Sequence, residues 1–149
     1  MGTITRNKME VQLKTDYIRK FIIGGKANFT VKSLKTYDHL IFRISKSKER
    51  DVKYFVSVDT HYGKFMCIGL LYLSKDGTNF TFVKSSKMAD NDAKSIKVIK
   101  YLVDNYLNKN NPTSMLEFYH HGTCARCGRK LTTPQSIEIG IGPECLKRS

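Results

Sequence analysis

Acidic residues, cysteine and proline are all scarce in this sequence, and tryptophan is absent. No apolar run is long enough to cross a bilayer, because the longest one, from Phe65 to Leu73, is far shorter than the roughly 20 residues that a spanning helix needs. The N-terminus also lacks the apolar segment of a signal peptide. We therefore expect a cytoplasmic protein that does not bind membranes.

The scarcity of cysteine argues against a disulfide-stapled scaffold. The chain has four cysteines in 149 residues, and three of them lie together near the C-terminus. In a reducing compartment, closely spaced cysteines favour metal binding or redox chemistry over a structural disulfide. A chain of this length can bury a core without such staples, as one domain with a small appendage.

The shortage of acidic residues leaves the chain strongly basic. It has 26 lysines and arginines against 13 acidic residues, a formal charge of +13 and a pI near 9.7. A field of this sign attracts polyanions, and nucleic acid is the commonest polyanion in a cell. Charge therefore favours a nucleic-acid partner.

Hydrophobic periodicity predicts an α+β fold on an antiparallel meander of about five strands. The run from Phe65 to Leu73 is apolar at both odd and even positions, so we expect a central strand covered on both faces. A short extended link from Met115 to Tyr119 leads into the cysteine segment. The predicted strands lie around Phe29 and Val31, Leu40 to Ile44, Tyr54 to Val58, Phe65 to Leu73, and Phe80 to Phe82.

Two amphipathic helices should pack on this sheet. The first is predicted from a cap at Thr15 to a stop at Gly24. The second has one apolar stripe, formed by Ile96, Ile99, Leu102, Val103, Tyr106 and Leu107. We place a core domain in residues 1–114 and a zinc-binding knuckle in residues 115–149.

The cysteine spacing predicts a structural zinc site. Cys124 and Cys127 have the two-residue separation that lets a turn bind one edge of a tetrahedral metal, and Gly128 follows where a side chain would obstruct that turn. Cys145 comes after a Gly-Pro pair suited to opening a short helix. With a fourth protein ligand the site would be closed, which argues against catalysis by the metal.

Three residues are candidates for that fourth ligand. His120 and His121 precede the knuckle, and only one can face the metal because neighbours on an extended chain point opposite ways. Cys67 lies within an apolar strand, where a buried hydrophobic role is expected. We favour His120 and retain the other two.

The C-terminal segment resembles a family of small zinc-knuckle proteins of unknown function found mainly in phages and prophages. The shared pattern runs His-x-Gly-x-Cys-x-x-Cys-Gly-Arg-x-Leu, then Pro-x-Ser-Ile, then Gly-Ile-Gly-Pro-x-Cys. The resemblance implies a viral or mobile-element origin, action in a host cytoplasm, and His120 as a zinc ligand; it implies no activity. The matching residues are His120, Gly122, Cys124, Cys127, Gly128, Arg129, Leu131, Pro134, Ser136, Ile137, Gly140, Gly142, Pro143 and Cys145.

Cations around the proposed metal suggest how nucleic acid, DNA or RNA, would bind with weak sequence preference. Glu138 and Glu144 interrupt this group, and Arg129 has an alternative role in bracing the knuckle. The competing hypothesis is a protein-interaction module that inhibits or redirects an acidic host protein such as a defence nuclease. The candidate nucleic-acid contacts are Arg126, Arg129, Lys130, Lys147 and Arg148.

The strand aromatics offer a second binding possibility. Bases often stack on aromatic side chains of an open sheet face, although alternating aromatics more often form a core. We interpret them as core, with Tyr62 and Tyr72 the least easily accommodated there. The aromatics concerned are Tyr54, Tyr62, Phe65, Tyr72, Phe80 and Phe82.

The sequence carries no recognisable catalytic constellation. Asp59, Thr60 and His61 are the one group that invites an acid-base role, but no nucleophile, phosphate loop or second carboxylate accompanies them. We therefore predict that the protein is not an enzyme.

Overall fold

The computed structural model describes residues 10–36, 38–48, 53–61, 63–85, 94–109 and 115–147, with only the backbone of His61. Tyr62 and Arg148 of the predicted sites lie outside these residues. Within the described part of the chain, no helix is long and apolar enough to cross a membrane.

Seven antiparallel strands form one sheet in the order β1-β7-β2-β3-β4-β5-β6. The predicted five-strand meander is confirmed as β2 to β6, where chain neighbours are also sheet neighbours. The strands are β1 (Val11–Gln12), β2 (Lys26–Ser33), β3 (His39–Lys46), β4 (Lys53–His61), β5 (Lys64–Leu73), β6 (Phe80–Lys84) and β7 (Leu116–His120).

Alternation along the strands places one apolar set on a single face of the sheet. Phe29 pairs with Phe42 on β3 and with His120 on β7, and Phe42 pairs with Val58 on β4. The Phe29 and Phe42 rings stack at a centroid distance of 6.0 Å. Because side chains alternate between faces with a period of two, this register directs the whole apolar set of the meander into one core.

The helices cover this face. Helix α1 (Thr15–Ile22) buries Ile18, Phe21 and Ile22, as predicted, although its cap position is Lys14 and no side chain caps it. Helix α2 (Lys94–Leu102) continues into a π-helical turn, Val103–Leu107. The predicted stripe is confirmed, since all six of its residues are buried. Two short helices, α3 (Pro134–Ile139) and α4 (Pro143–Lys147), lie in the cysteine segment.

The second face of the sheet is partly uncovered, contrary to the expectation for β5. Phe55, Tyr72 and Val83 are 42, 39 and 49% exposed on that face, so no described helix covers them. Cys67 is also exposed there, not buried as expected. A β-bulge explains part of the apolar run that suggested two covered faces. Val56 pairs with Gly69 and Ser57 with Cys67, which leaves Ile68 as an extra, buried residue.

The C-terminal part contributes directly to the sheet. The predicted extended link is the strand β7, which lies between β1 and β2. The proposed boundary at residues 114 and 115 precedes this strand, and residues 110–114 lie outside the described part of the chain. The division of the chain into a core domain and a zinc-binding knuckle at this boundary stays a prediction.

Candidate metal centre

A hairpin-like turn carries the first two cysteines. The backbone N–H of Cys124 donates to the Arg129 carbonyl at 2.8 Å, and that of Leu131 donates to the Gly122 carbonyl at 2.8 Å. Gly128 closes the turn with a φ of +81°, a left-handed conformation that glycine adopts most easily. Its N–H donates to the Cys124 carbonyl at 2.9 Å. The glycine predicted to permit a knuckle therefore does so.

Backbone amides surround the Cys124 sulfur. The N–H groups of Arg126 and Gly142 donate to Sγ at 3.4 and 3.3 Å, and the residue is almost fully buried. Burial raises the pKa of the Cys124 thiol, but amide hydrogen bonds, led by those of Gly142 and Cys127, outweigh burial and lower the pKa to about 7. The site thus favours a thiolate at Cys124.

Two short helices bring Cys145 to the same place. Thr133 caps α3 by accepting a hydrogen bond from the Ser136 N–H, and Gly140 ends α3 with a φ of +84°. Helix α4 then starts at Pro143, as expected for a proline at a first helical position, and carries Cys145. The reversal between α3 and α4 turns the chain back toward the knuckle.

The three sulfurs form a cluster that can hold a metal ion. The Sγ atoms of Cys124, Cys127 and Cys145 all lie within 4.8 Å of one another. Zinc–sulfur bonds of 2.3 Å in a tetrahedron would place sulfurs about 3.8 Å apart, so a small contraction would fit them around zinc. Burial and the neighbouring sulfurs raise the pKa of Cys145 to about 11. A bound cation would offset both the burial of the thiolates and the repulsion between them, so the donor set fits a metal.

His120, predicted as the fourth ligand, is not brought into this cluster. Its ring is fully buried, with Nδ1 accepting from the Gly122 N–H at 3.0 Å and Nε2 hydrogen-bonded to the Ile137 carbonyl. Burial lowers the pKa of His120, although the bond to Ile137 opposes this shift. His120 as a ligand stays a prediction, and its contacts are those of a neutral ring that links β7 to the knuckle and to α3.

The other two candidate ligands also lie outside the cluster. The Nε2 atom of His121 is 2.7 Å from the Thr30 hydroxyl, and the Cys67 thiol donates to the Gly69 carbonyl at 3.5 Å. Strand β5, which carries Cys67, is separated from β7 by β2, β3 and β4. Neither residue is near enough to join the three sulfurs.

The predicted basic residues surround the cysteines on the surface. Arg126, Arg129, Lys130 and Lys147 are exposed. Arg126 donates to the Cys145 carbonyl at 3.2 Å, so it braces the site from outside. Arg129 and Lys130 line a cleft of about 420 Å³ together with the three cysteines. Arg148 lies outside the described residues.

One residue near the site has no signal in the local sequence. The Lys26 N–H donates to the Ala125 carbonyl at 2.6 Å, and the Lys26 side chain lies beside Gly128. Lys26 begins β2, far from the knuckle in the chain, so only the fold shows this contact. Similarly, Glu138, which was expected to interrupt the basic group, pairs with Lys14.

The remaining sequence candidates have structural roles or lie elsewhere. Tyr54 and Phe80 are buried and Phe82 packs against the core, as interpreted, whereas Phe65 and Tyr72 lie on the second face. The Arg43 guanidinium sits 3.9 Å from the centroid of the Phe65 ring there.

Asp59, considered above for an acid-base role, binds the adjacent turn. Both its carboxylate oxygens accept from the Gly63 N–H at 3.0 Å. The side chain of His61 is not among those described. The absence of enzyme activity stays a prediction.

Comparison with known protein families finds a similarity at the C-terminal end of the chain. A model described as a family of unknown function (DUF6011) matches residues 114–149, about a quarter of the chain. No curated protein and no solved structure matches the chain. The similarity covers the cysteine cluster together with β7, α3 and α4.

Proposed function

We propose that this chain is an accessory protein of phage or prophage type that binds nucleic acid through the phosphate backbone, using cations held by a structural zinc knuckle. The observation that carries the proposal is the set of exposed cations around the cysteine cluster. Arg126, Arg129 and Lys130 project from the knuckle turn, whose backbone is held by hydrogen bonds, and Lys147 projects from the end of α4. Cations on a rigid frame lose little freedom when they contact phosphates.

Zinc is the metal that this donor set favours. Three thiolates suit a soft or borderline cation, and structural zinc sites are commonly rich in cysteine. Bound zinc would cross-link the knuckle to α4, because it would bind Cys124 and Cys127 on one side and Cys145 on the other. The basic side chains of this segment would then be presented on a fixed frame. Gly128 allows the left-handed turn after Cys127, and Gly142 brings its N–H to 3.3 Å from the Cys124 sulfur.

The charges near the site favour a polyanion. Glu138 is already paired with Lys14, so its charge is largely compensated, and Glu144 is the remaining described acid beside the cleft. No pattern of base-reading side chains is evident in the described knuckle. We therefore expect weak sequence preference and strong salt dependence.

Charge reversal tests the proposal. The double variant Arg129→Glu, Lys130→Glu should weaken binding to DNA and RNA oligonucleotides. It should also reduce the slope of log affinity against log salt by about 0.9 for each duplex phosphate that the variant no longer neutralises. The matched control is Lys64→Glu, Lys75→Glu, which makes the same change in net charge at the start of β5 and in the turn that follows it.

The control should keep nearly all of the slope, because distant charges contribute only a screened, long-range field. Equal losses of affinity in both double variants would show that binding depends on net charge and not on the knuckle. No detectable binding of the unmodified protein at low salt would reject the proposal.

A protein partner is the second candidate, and the exposed apolar side chains on the second sheet face support it. Phe55, Tyr72 and Val83 offer aromatic and aliphatic anchors on that face. The net positive charge of the chain would steer an acidic host protein toward it. The test is recovery of one host protein from lysate that persists after nuclease treatment. That recovery should be lost in the double variant Phe55→Ser, Val83→Ser. It should be kept in the double variant Arg129→Glu, Lys130→Glu.

A further inference from the structure

We propose that the metal centre is held by three thiolates only, and that its fourth coordination position opens into the adjacent cleft, where it takes an exchangeable small donor such as a thiolate or an imidazole. In the absence of such a donor, water would occupy the position. The inference rests on the metal site proposed above and does not depend on nucleic-acid binding.

Both nitrogens of the His120 ring are already in use. A neutral imidazole has one N–H and one lone pair, and coordination needs the lone pair. The Ile137 carbonyl accepts from Nε2–H, an arrangement that would suit a metal ligand. However, the remaining lone pair on Nδ1 receives the buried Gly122 N–H at 3.0 Å and is not directed at the sulfurs.

Moving the ring to a metal would leave that amide without a partner. Gly122 is buried and Phe21 packs on the imidazole at a centroid distance of 6.0 Å, so water could not easily replace the missing bond. His120 is therefore a positioning residue: its ring joins the end of β7 to the knuckle and to α3.

The cleft beside the cysteines provides space for a fourth donor. It has a volume of about 420 Å³, and all three cysteines lie on its wall. Cys127 and Cys145 are only half-buried, so a metal held by the three sulfurs would face this space. The cations Arg129 and Lys130 at the wall favour an anionic or neutral donor over a cationic one.

The described residues that line the cleft offer few competing donors. Thr133 and Ser136 are there, but their hydroxyls already have hydrogen-bond partners. The Thr133 hydroxyl donates to the Ser136 hydroxyl at 2.8 Å, and the Ser136 hydroxyl donates to the Thr133 carbonyl. Glu144 is the one described carboxylate on the wall, and it is exposed and outside the sulfur cluster. Glu144 is therefore the alternative fourth ligand that the described chain could itself supply, and it is tested below.

Cobalt substitution of the full-length protein provides the test. Cobalt(II) should bind in a ratio of one to one, and its visible d–d absorption should change saturably when imidazole or 2-mercaptoethanol is added, without release of the metal. His120→Gln and Glu144→Gln should keep the stoichiometry, the starting spectrum and the response to both donors. Cys127→Ser should lose most of the affinity.

Three results would overturn the inference. They are a spectrum that neither donor alters, a starting spectrum changed by His120→Gln, and a starting spectrum changed by Glu144→Gln. If His120→Gln does not fold, the unmodified protein loaded with ¹¹³Cd answers the question by NMR. We expect the His120 ring to keep its proton on Nε2 and to show no coupling to cadmium, whereas a coupling would assign it as the fourth ligand.

The outcomes separate this inference from the proposed function. Failure to bind cobalt or zinc at all would reject both the zinc knuckle and the open position. Metal binding without a response to donors would reject the open position alone. Loss of nucleic-acid binding with an intact donor response would reject only the nucleic-acid proposal.

Discussion

The sheet and the knuckle are held together by different means. In the meander, Phe29, Phe42 and Val56 are fully buried in a continuous apolar layer beneath α1 and α2. From Gly122 to Lys147, the buried set is small and the chain is shaped by glycine turns, a helix cap and three thiols. A segment of that length cannot bury enough apolar surface to fold alone, so we expect it to depend on metal.

The two regions meet at places where almost no space remains. A Cβ atom on Gly24 would lie 2.7 Å from the Ala125 carbonyl oxygen, and one on Gly140 would lie 2.7 Å from the Phe21 ring. The knuckle therefore docks against α1 and the turn that follows it, through close backbone contact at Gly24 and through packing of Gly140 on the Phe21 ring. We therefore expect metal removal, truncation of the sheet core and substitution at this junction to destabilise different parts of the molecule.

The largest effect should follow metal removal. Chelation, or Cys127→Ser, should abolish amide-exchange protection from Gly122 to Lys147 while the meander stays protected, because the thiolate cross-link is the main constraint on this segment. The expected local loss of stability is several kcal/mol. Hydrogen exchange with mass spectrometry measures it.

Cys67→Ser is the matched control, since Cys67 is exposed on the sheet and outside the cluster. It should leave metal content and exchange unchanged. Uniform loss of protection across the whole chain on chelation would contradict the contrast between the regions.

The next effect is core truncation in the sheet. Phe29→Ala should reduce the free energy of unfolding by about 3–5 kcal/mol, through reduced apolar burial and the cavity left behind. Because the cavity lies in the sheet core, the reduction in sheet stability should be similar with and without chelator. Denaturant unfolding followed by circular dichroism measures it.

Phe55→Thr provides the comparison on the second face, where the side chain is 42% exposed. A β-branched residue suits a strand, so the cost should stay below about 1 kcal/mol. Equal costs for the two substitutions would contradict the assignment of the faces.

A smaller effect is expected at the junction between the regions. Gly140→Ala should cost about 2–3 kcal/mol, because it combines a left-handed φ with overlap on the Phe21 ring. Gly77→Ala is its control: Gly77 has a φ of +76° and nothing within 4 Å of a Cβ atom. This control should cost about 1 kcal/mol. Thermal unfolding would measure the difference, and equal costs would mean that Phe21 moves aside freely.

The smallest effect concerns the cap of α3. Thr133→Ala removes the side chain that accepts from the Ser136 N–H and should destabilise the knuckle by about 1 kcal/mol. The exposed neighbour Thr132 is the control, and Thr132→Ala should be neutral within about 0.5 kcal/mol. Competition with a zinc-binding dye would detect the change as weaker zinc affinity for Thr133→Ala alone.

Much of the sheet could be predicted because alternation is a local property. The meander strands and both long helices follow from apolar spacing, and the turn at Gly128 follows from the need for a left-handed residue. The strand β7 could not be predicted in this way, because Met115 to Tyr119 has no strong alternation and pairs with β1 and β2, which are remote in sequence. The exposure of Cys67 could not be predicted either, because an apolar run does not show which face is covered.

The order of residues along the chain was enough to specify the apolar faces of strands and helices and the grouping of Cys124, Cys127 and Cys145. These depend on short-range periodicity and spacing. The place of β7 within the sheet, the uncovered second face and the hydrogen bonds that occupy His120 depended on the folded arrangement. Each of them results from contact between distant segments, and the energy of such a contact is not encoded in either segment alone.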